Sequence, residues 1–234
     1  MIKASFGLTE TGSVRRENQD SYLVDPAMGL FAVADGLGGL PNGDRASKLA
    51  LDILKRQLRE HPQMTLEMAI GIINEESRKV GYEIDESGFG TTLTIGRYKA
   101  EEEILELVHI GDSAAYLVTN DKAHLITVEH TVAARMIASQ FEEACEAIPA
   151  SAHHTLTQCI GQDLYIDPQV AEFKIQEGDR LFLLTDGVTK ALDEESLRES
   201  LEVRESLESI CQTLTFRIEV AGSPDNYTIA AVEF

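Results

Sequence analysis

Apolar positions along the chain follow two different periods, and the switches between them lay out the elements. Near the start, residues 2–9 and 21–24 read as short strands. The run Gly29-Leu30-Phe31-Ala32-Val33-Ala34 is apolar and bounded by turn residues, so it reads as a buried strand. Asp25-Pro26-Ala27-Met28 is a turn signal, which makes these two strands a hairpin. From Asp44 to about Glu60 the period lengthens: Ala46, Leu49, Ala50, Ile53, Leu54 and Leu58 recur at helical steps. A second helix is expected over 65–82, with Leu66, Ala69, Ile70 and Ile73 on one face.

The period then drops to two. Thr91–Tyr98, Ile104–Ile110, Ala114–Thr119 and Ala123–Val128 read as strands joined by short polar turns. Residues 131–147 read as helical and 148–160 as irregular. Strands return at 169–175 and Arg180–Thr185, helix at 194–220 as one segment or two, and a final strand at Tyr227–Phe234. Strands in meander order, with helices early and late, predict an α+β fold of mainly antiparallel sheets covered by helices.

Against this pattern the aspartates fall at strand ends. Asp20 opens the second strand and Asp35 closes the third. Asp112 sits in the turn after LELVHI, Asp186 follows LFLLT, and Asp225 precedes the last strand. Asp20 and Asp35 are equidistant from the hairpin turn and should face each other at its open end. Two carboxylates beside apolar strands repel and lose hydration, so a positive partner is required, and a divalent cation with oxygen ligands supplies one. The glycines of Asp35-Gly36-Leu37-Gly38-Gly39 permit close backbone approach, which leaves the Gly36 carbonyl available to such an ion. Oxygen-only ligation selects Mg²⁺ or Mn²⁺ over zinc or copper. Strand-end aspartates are also ordinary turn residues, and spacing alone leaves both readings open.

Composition narrows the alternatives. Forty acidic residues against twenty basic give a formal net charge of −20, which excludes nucleic-acid binding through a general basic surface and disfavours anionic membranes. No apolar stretch approaches the roughly 20 residues of a membrane span. The first ten residues carry one Lys and no apolar run, so no signal peptide is expected. Cys145, Cys159 and Cys211 form no CxxC pair, and a reduced, cytoplasmic protein is expected. No linker or repeat divides the chain, so residues 1–234 read as one domain.

Several blocks follow one another along the chain: Thr11-Gly12-Ser13-Val14-Arg15-Arg16-Glu17-Asn18-Gln19-Asp20, Phe31-Ala32-Val33-Ala34-Asp35-Gly36-Leu37-Gly38-Gly39, Gly43-Asp44-Arg45-Ala46-Ser47 and Gly90-Thr91-Thr92. His109-Ile110-Gly111-Asp112-Ser113, Leu183-Leu184-Thr185-Asp186-Gly187-Val188 and Pro224-Asp225-Asn226-Tyr227-Thr228 complete the set. In this order they resemble the metal-dependent PP2C (PPM) protein serine/threonine phosphatases in their compact bacterial form. The resemblance implies a four-layer α-β-β-α sandwich. It also implies hydrolysis of phosphoserine and phosphothreonine esters by a hydroxide bridging two divalent ions, Mn²⁺ or Mg²⁺. Asp35, Asp186 and Asp225 match the core ligands, with Asp35 bridging and the Gly36 carbonyl serving the second ion. Asp20 would act through metal-bound water or sit close behind it. Asp112 matches a third, weaker metal site of bacterial relatives, Arg15 the arginine that grips the substrate phosphate, and Asn226 an orienter of Asp225. Catalysis would rest on Arg15, Asp35 and Asp186. The implied partners are a phosphorylated protein substrate and a cognate Ser/Thr kinase.

The match has departures. Gln19 replaces an acidic residue common in the family, Leu37 a histidine proposed as general acid, and Leu40-Pro41-Asn42 lacks a histidine often found there. Residues 130–155 correspond to a variable flap. Cys211 and Arg217 have the spacing of a cysteine-dependent phosphatase loop, but the stretch lacks glycine and Ile210, Leu214 and Ile218 recur as in a helix, so a core cysteine is expected. His153-His154 shows no metal-binding spacing and reads as surface or flap. The competing class is a catalytically silent phosphatase-like binding module, whose mark would be loss of metal aspartates; all of them are present.

Overall fold

A computed structural model describes residues 1–139 and 148–234. Two five-stranded antiparallel sheets pack face to face. One takes, side by side, β1 (Ala4–Glu10), β10 (Tyr227–Glu233), β9 (Arg180–Leu184), β6 (Ala114–Thr119) and β7 (Lys122–Leu125). The other takes β2 (Asp20–Asp25), β3 (Leu30–Asp35), β4 (Leu93–Lys99), β5 (Ile104–Ile110) and β8 (Gln169–Lys174). Helices α1 (Gly43–Glu60) and α2 (Leu66–Ile84) cover the outer face of the β2-containing sheet. Helices α4 (Asp186–Ala191), α5 (Glu194–Leu201) and α6 (Leu207–Val220) cover the other sheet, and α3 (Val132–Ala138) lies in the connection to β8. The four-layer α-β-β-α sandwich is thus the architecture of the chain.

The layering explains why the central strands are apolar on both faces rather than alternating. On β3, Leu30, Ala32 and Ala34 point toward α1 and α2, while Phe31 and Val33 point into the space between the sheets. On β9, Phe182 and Leu184 meet the α4–α6 layer, and Leu181 and Leu183 meet the opposite sheet. A strand covered on both faces reads as a near-continuous apolar run rather than an alternating one. Helices α2, α5 and α6 start where a side chain satisfies an early N–H: Thr65, Asp193 and Ser206 each accept a hydrogen bond from the backbone N–H three residues on.

Three details differ from the sequence expectation. Helix α4 follows β9 directly; at six residues it is too short to show a period, and the sequence reading ended its strand at Thr185. Strand β7 stops at Leu125, because the Val128 N–H donates to the Gln169 side chain at 2.8 Å instead of continuing a ladder. The stretch expected to be irregular contains a 3-10 helix, Ala150–His154. The helix expected over 131–147 is present as α3 through Ala138, and residues 140–147, with Cys145, lie outside the described ones.

Three strand pairings converge on one end of the sandwich. Asp20 faces Asp35 in the β2–β3 register. Glu10 faces Tyr227 across β1–β10, which brings Asp225 and Asn226 beside the loop carrying Arg15. The Thr185 N–H donates to the Thr228 carbonyl where β9 meets β10, bringing Asp186 to the same place.

Candidate metal centre

The backbone around Asp35 is fixed before its side chain is considered. Its N–H donates to Thr92 Oγ1 at 3.0 Å, and its carbonyl accepts from the Thr92 N–H at 2.8 Å and from Thr91 Oγ1 at 2.9 Å. Gly36 follows, its N–H donating to the Gln19 carbonyl at 3.1 Å. A Cβ on Gly36 would stand 2.2 Å from the Gly43 carbonyl oxygen, so the start of α1 can approach this turn only against a glycine. Gly111, at φ 114°, is equally constrained: a Cβ there would lie 2.5 Å from Thr92 Cγ2. That close approach sets Asp112 beside the Thr92 that holds Asp35.

Asp20 ties the two sheets together at this end. Its Oδ2 accepts from Thr185 Oγ1 at 2.7 Å and from Thr228 Oγ1 at 2.8 Å, both from the opposite sheet. Its Oδ1 is buried with no hydrogen-bond partner. Asp186 Oδ1 is buried and unpartnered as well. Buried acceptors are nearly always satisfied, so two orphaned carboxylate oxygens at one place call for a cation. Asp35, Asp112 and Asp186 each present a ligand atom such that all three lie within 4.8 Å of one another. Hard oxygen donors at this spacing suit Mg²⁺ or Mn²⁺. The residues therefore fit the divalent ions that the sequence led us to expect.

The electrostatics agree. Burial, together with the charges of Asp20, Asp186 and Asp112, pushes the Asp35 carboxyl well above the usual carboxylate range. Burial raises Asp20 to about 6 and, with Asp186 adding repulsion, Asp112 to about 7. Carboxylates crowded out of water resist ionisation unless a positive charge joins them.

Asp225 stands apart from that trio. Its Oδ1 accepts from Arg15 Nε at 2.6 Å, and its Oδ2 from Arg15 Nη2 at 3.0 Å and from Lys190 Nζ at 2.9 Å. Lys190 Nζ also lies 2.5 Å from Asp186 Oδ2, one helical turn away on α4. Burial alone would raise Asp225, but the bonds from Arg15 and Lys190 outweigh it and hold the carboxyl below its ordinary value. Likewise burial lowers the Lys190 ammonium, and Asp186 and Asp225 more than reverse this. Asn226 acts on Asp225 through its backbone: its N–H donates to Asp225 Oδ1 at 2.9 Å, while its side chain binds the carbonyls of Thr11 and Glu17 and accepts from the Gln19 N–H. The side chain thus pins the Arg15 loop rather than the carboxylate.

These groups line a cavity of about 400 Å³, which includes Arg15, Gln19, Asp35, Gly36, Asp112, Asp186, Lys190 and Asp225. Arg15, Asp35, Gly36, Asp112, Asp186 and Asp225, all singled out in the sequence, meet there; Asp20 lies behind them as the cross-strand partner of Asp35. Lys190 was not singled out, and Thr92 appeared in the Gly90-Thr91-Thr92 block without a role. The signal for Lys190 is its i,i+4 spacing from Asp186, which acquires meaning only once α4 is a helix. His154, expected at the surface, is exposed and also lines the cavity, beside Leu156. Cys211 is fully buried in α6 among Leu207, Ile210 and Leu214, and burial pushes its thiol up to about 12, so it is a core residue.

The similarities of the chain to known proteins converge on the same chemistry. A sequence model of the protein phosphatase 2C family matches residues 13–220. The chain is 30% identical to the serine/threonine protein phosphatase PstP of Mycobacterium tuberculosis over 96% of its own length, but spans only 44% of that relative. It is 30% identical to the protein phosphatase PhpP of Streptococcus pneumoniae, covering 96% of this chain and 95% of that protein. In structure it superposes on the PPM Ser-Thr phosphatase MsPP of Mycobacterium smegmatis, solved with cacodylate, with a TM-score of 0.86 at 27% identity, covering 100% and 99% of the two chains. It also superposes on the PstP catalytic domain solved with two manganese ions, with a TM-score of 0.83 at 26% identity, covering 98% and 97%. With the sandwich, the carboxylate cluster and a family match over most of its length, the chain belongs to the protein phosphatase 2C family.

Proposed function

We propose that this chain is a metal-dependent protein serine/threonine phosphatase whose reaction centre is the cavity at the end of the sandwich. The observation that carries this reading is the cluster of Asp35, Asp112 and Asp186 within 4.8 Å, with orphaned oxygens on Asp186 and on the neighbouring Asp20. Asp35, Asp186 and Asp225 would hold the divalent ions with the Gly36 carbonyl, Asp20 would support them from behind, and Asp112 would serve a further ion. Once bound, such ions supply a Lewis acid that makes water nucleophilic near neutral pH and offsets phosphate charge.

The remaining chemistry belongs to the chain. Arg15 is half exposed at the cavity and presents a planar fork suited to two phosphate oxygens. In the structure that fork holds Asp225, so substrate must draw it away or share it. Thr91 and Thr92 fix the backbone of Asp35, which sets where its carboxylate starts from. We take Mn²⁺ or Mg²⁺ as the resident ions, phosphorylated proteins as the substrate class, and a Ser/Thr kinase as the enzyme that makes the substrate. Cys159 and Cys211 are free and buried, in keeping with a reducing, cytoplasmic setting. Among the described residues no helix is long and apolar enough to cross a membrane.

Phosphate release from a phosphothreonine peptide tests the reading. Turnover should need Mn²⁺ or Mg²⁺, stop with EDTA, and fall by at least about a thousandfold in Asp186→Asn while the circular dichroism spectrum is retained. Undiminished turnover in EDTA would refute it.

A further inference from the structure

The cluster contains a cation of its own. Lys190 Nζ bridges Asp186 Oδ2 at 2.5 Å and Asp225 Oδ2 at 2.9 Å. Its side chain is only 30% exposed, against 14% for each aspartate, so this is an ammonium largely withdrawn from water into the cluster. Helix α4 favours the contact: Asp186 is its first residue, Lys190 lies one turn later on the same face, and Gly187 lets the helix backbone approach the Asn226 carbonyl closely. Five carboxylates, Asp20, Asp35, Asp112, Asp186 and Asp225, meet here with two basic side chains, Arg15 and Lys190. Among the described residues, only Lys190 pairs with two of the carboxylates assigned above to metal.

We infer that Lys190 is a tethered competitor for the divalent ions, a positioning residue that neutralises the Asp186–Asp225 edge in the metal-free protein and weakens ion binding there. The inference rests on the metal-dependent reading above. A divalent ion held by Asp186 and Asp225 must either displace the ammonium or sit within a few Å of it. In the first case two ion pairs are broken, in the second the ion meets a repulsion, and neither cost exists in a site lined by carboxylates alone. Lys190 also orders the two carboxylates, which favours binding, but ordering two short side chains returns less than repulsion between a monovalent and a divalent cation removes. The net effect of the lysine is to make the ion at this edge exchangeable, and to keep the cluster folded when that ion leaves.

Mn²⁺ titration of the metal-free full chain, followed calorimetrically and by the electron paramagnetic resonance signal of free Mn²⁺, tests this without any turnover. Lys190→Met and Lys190→Gln should each bind Mn²⁺ at least about tenfold more tightly than the wild type, or take up one more ion per chain. Lys190→Arg, which keeps the charge, should stay close to the wild type. Equal or weaker binding in both neutral variants, with wild-type binding intact, would overturn the inference and leave the phosphatase reading standing. If the wild type itself binds no Mn²⁺, both fall together.

Discussion

Asp20 and Asp35 are register partners across the open end of the β2–β3 hairpin; threonine hydroxyls hold the carboxylate of Asp20 and the backbone of Asp35. Thr185 and Thr228 reach Asp20 from the opposite sheet, so the carboxylate of one sheet is bonded to the framework of the other. This couples the site to the packing of the sandwich. Replacing Thr228 by Val keeps the volume but removes a donor to a buried carboxylate. Urea unfolding should show a loss of about 1–3 kcal/mol, larger at pH 8 than at pH 5, where Asp20, with its raised pKa of about 6, is more protonated.

Asp112 makes the metal-free protein sensitive to pH in a definite direction. Its folded pKa, about 7, lies above the ordinary value of 3.8, so the native state holds this proton more tightly than the unfolded chain. Stability therefore falls as pH rises from about 4 to about 7, and above that range the penalty is complete, on the order of 2–4 kcal/mol. In EDTA, Asp112→Asn should melt at the same temperature as the wild type near pH 4 and several degrees higher at pH 8. Saturating Mn²⁺ should cancel that advantage, because the wild-type carboxylate then has its counter-charge.

Two glycine-to-alanine changes should have opposite signs. A Cβ on Gly187 would stand 1.9 Å from the Asn226 carbonyl oxygen, a backbone atom that cannot step aside. Gly187→Ala should cost about 1–3 kcal/mol and impair turnover, since α4 carries Asp186. Gly71 lies exposed within α2, and nothing stands within 4 Å of an added Cβ. Gly71→Ala should raise stability by about 0.5–1 kcal/mol and leave turnover unchanged.

The net charge of −20 opposes an anionic substrate, and at the cavity Arg15 together with the proposed ions would reverse the sign. Phosphopeptides with basic flanks should therefore show higher kcat/KM than those with acidic flanks at low ionic strength, and the gap should close as salt is added. Equal kcat/KM at low salt would remove the electrostatic argument.

What could be read from the sequence follows from how local each feature is. The Asp25-Pro26-Ala27-Met28 turn fixes the hairpin register, so the Asp20–Asp35 pairing could be placed by counting outward from it. The two-sided burial of β3 and β9 announced itself as unbroken apolar runs. The Arg15–Asp225 pair joins residues 210 positions apart, a contact that arises only because β1 and β10 lie side by side. Lys190 was missed for a different reason. Its helix is six residues long, shorter than two turns, and no hydrophobic period can emerge over that span. Nor could the sequence separate the two functions of Asn226, whose side chain serves the Arg15 loop while its backbone serves Asp225.

The most direct test is anomalous scattering from a crystal soaked in manganese chloride, recorded at the manganese edge. The account predicts at least two peaks among Asp35, Asp186 and Asp225, within about 2–2.5 Å of carboxylate oxygens. A map with all three side chains ordered and no peak between them would contradict it.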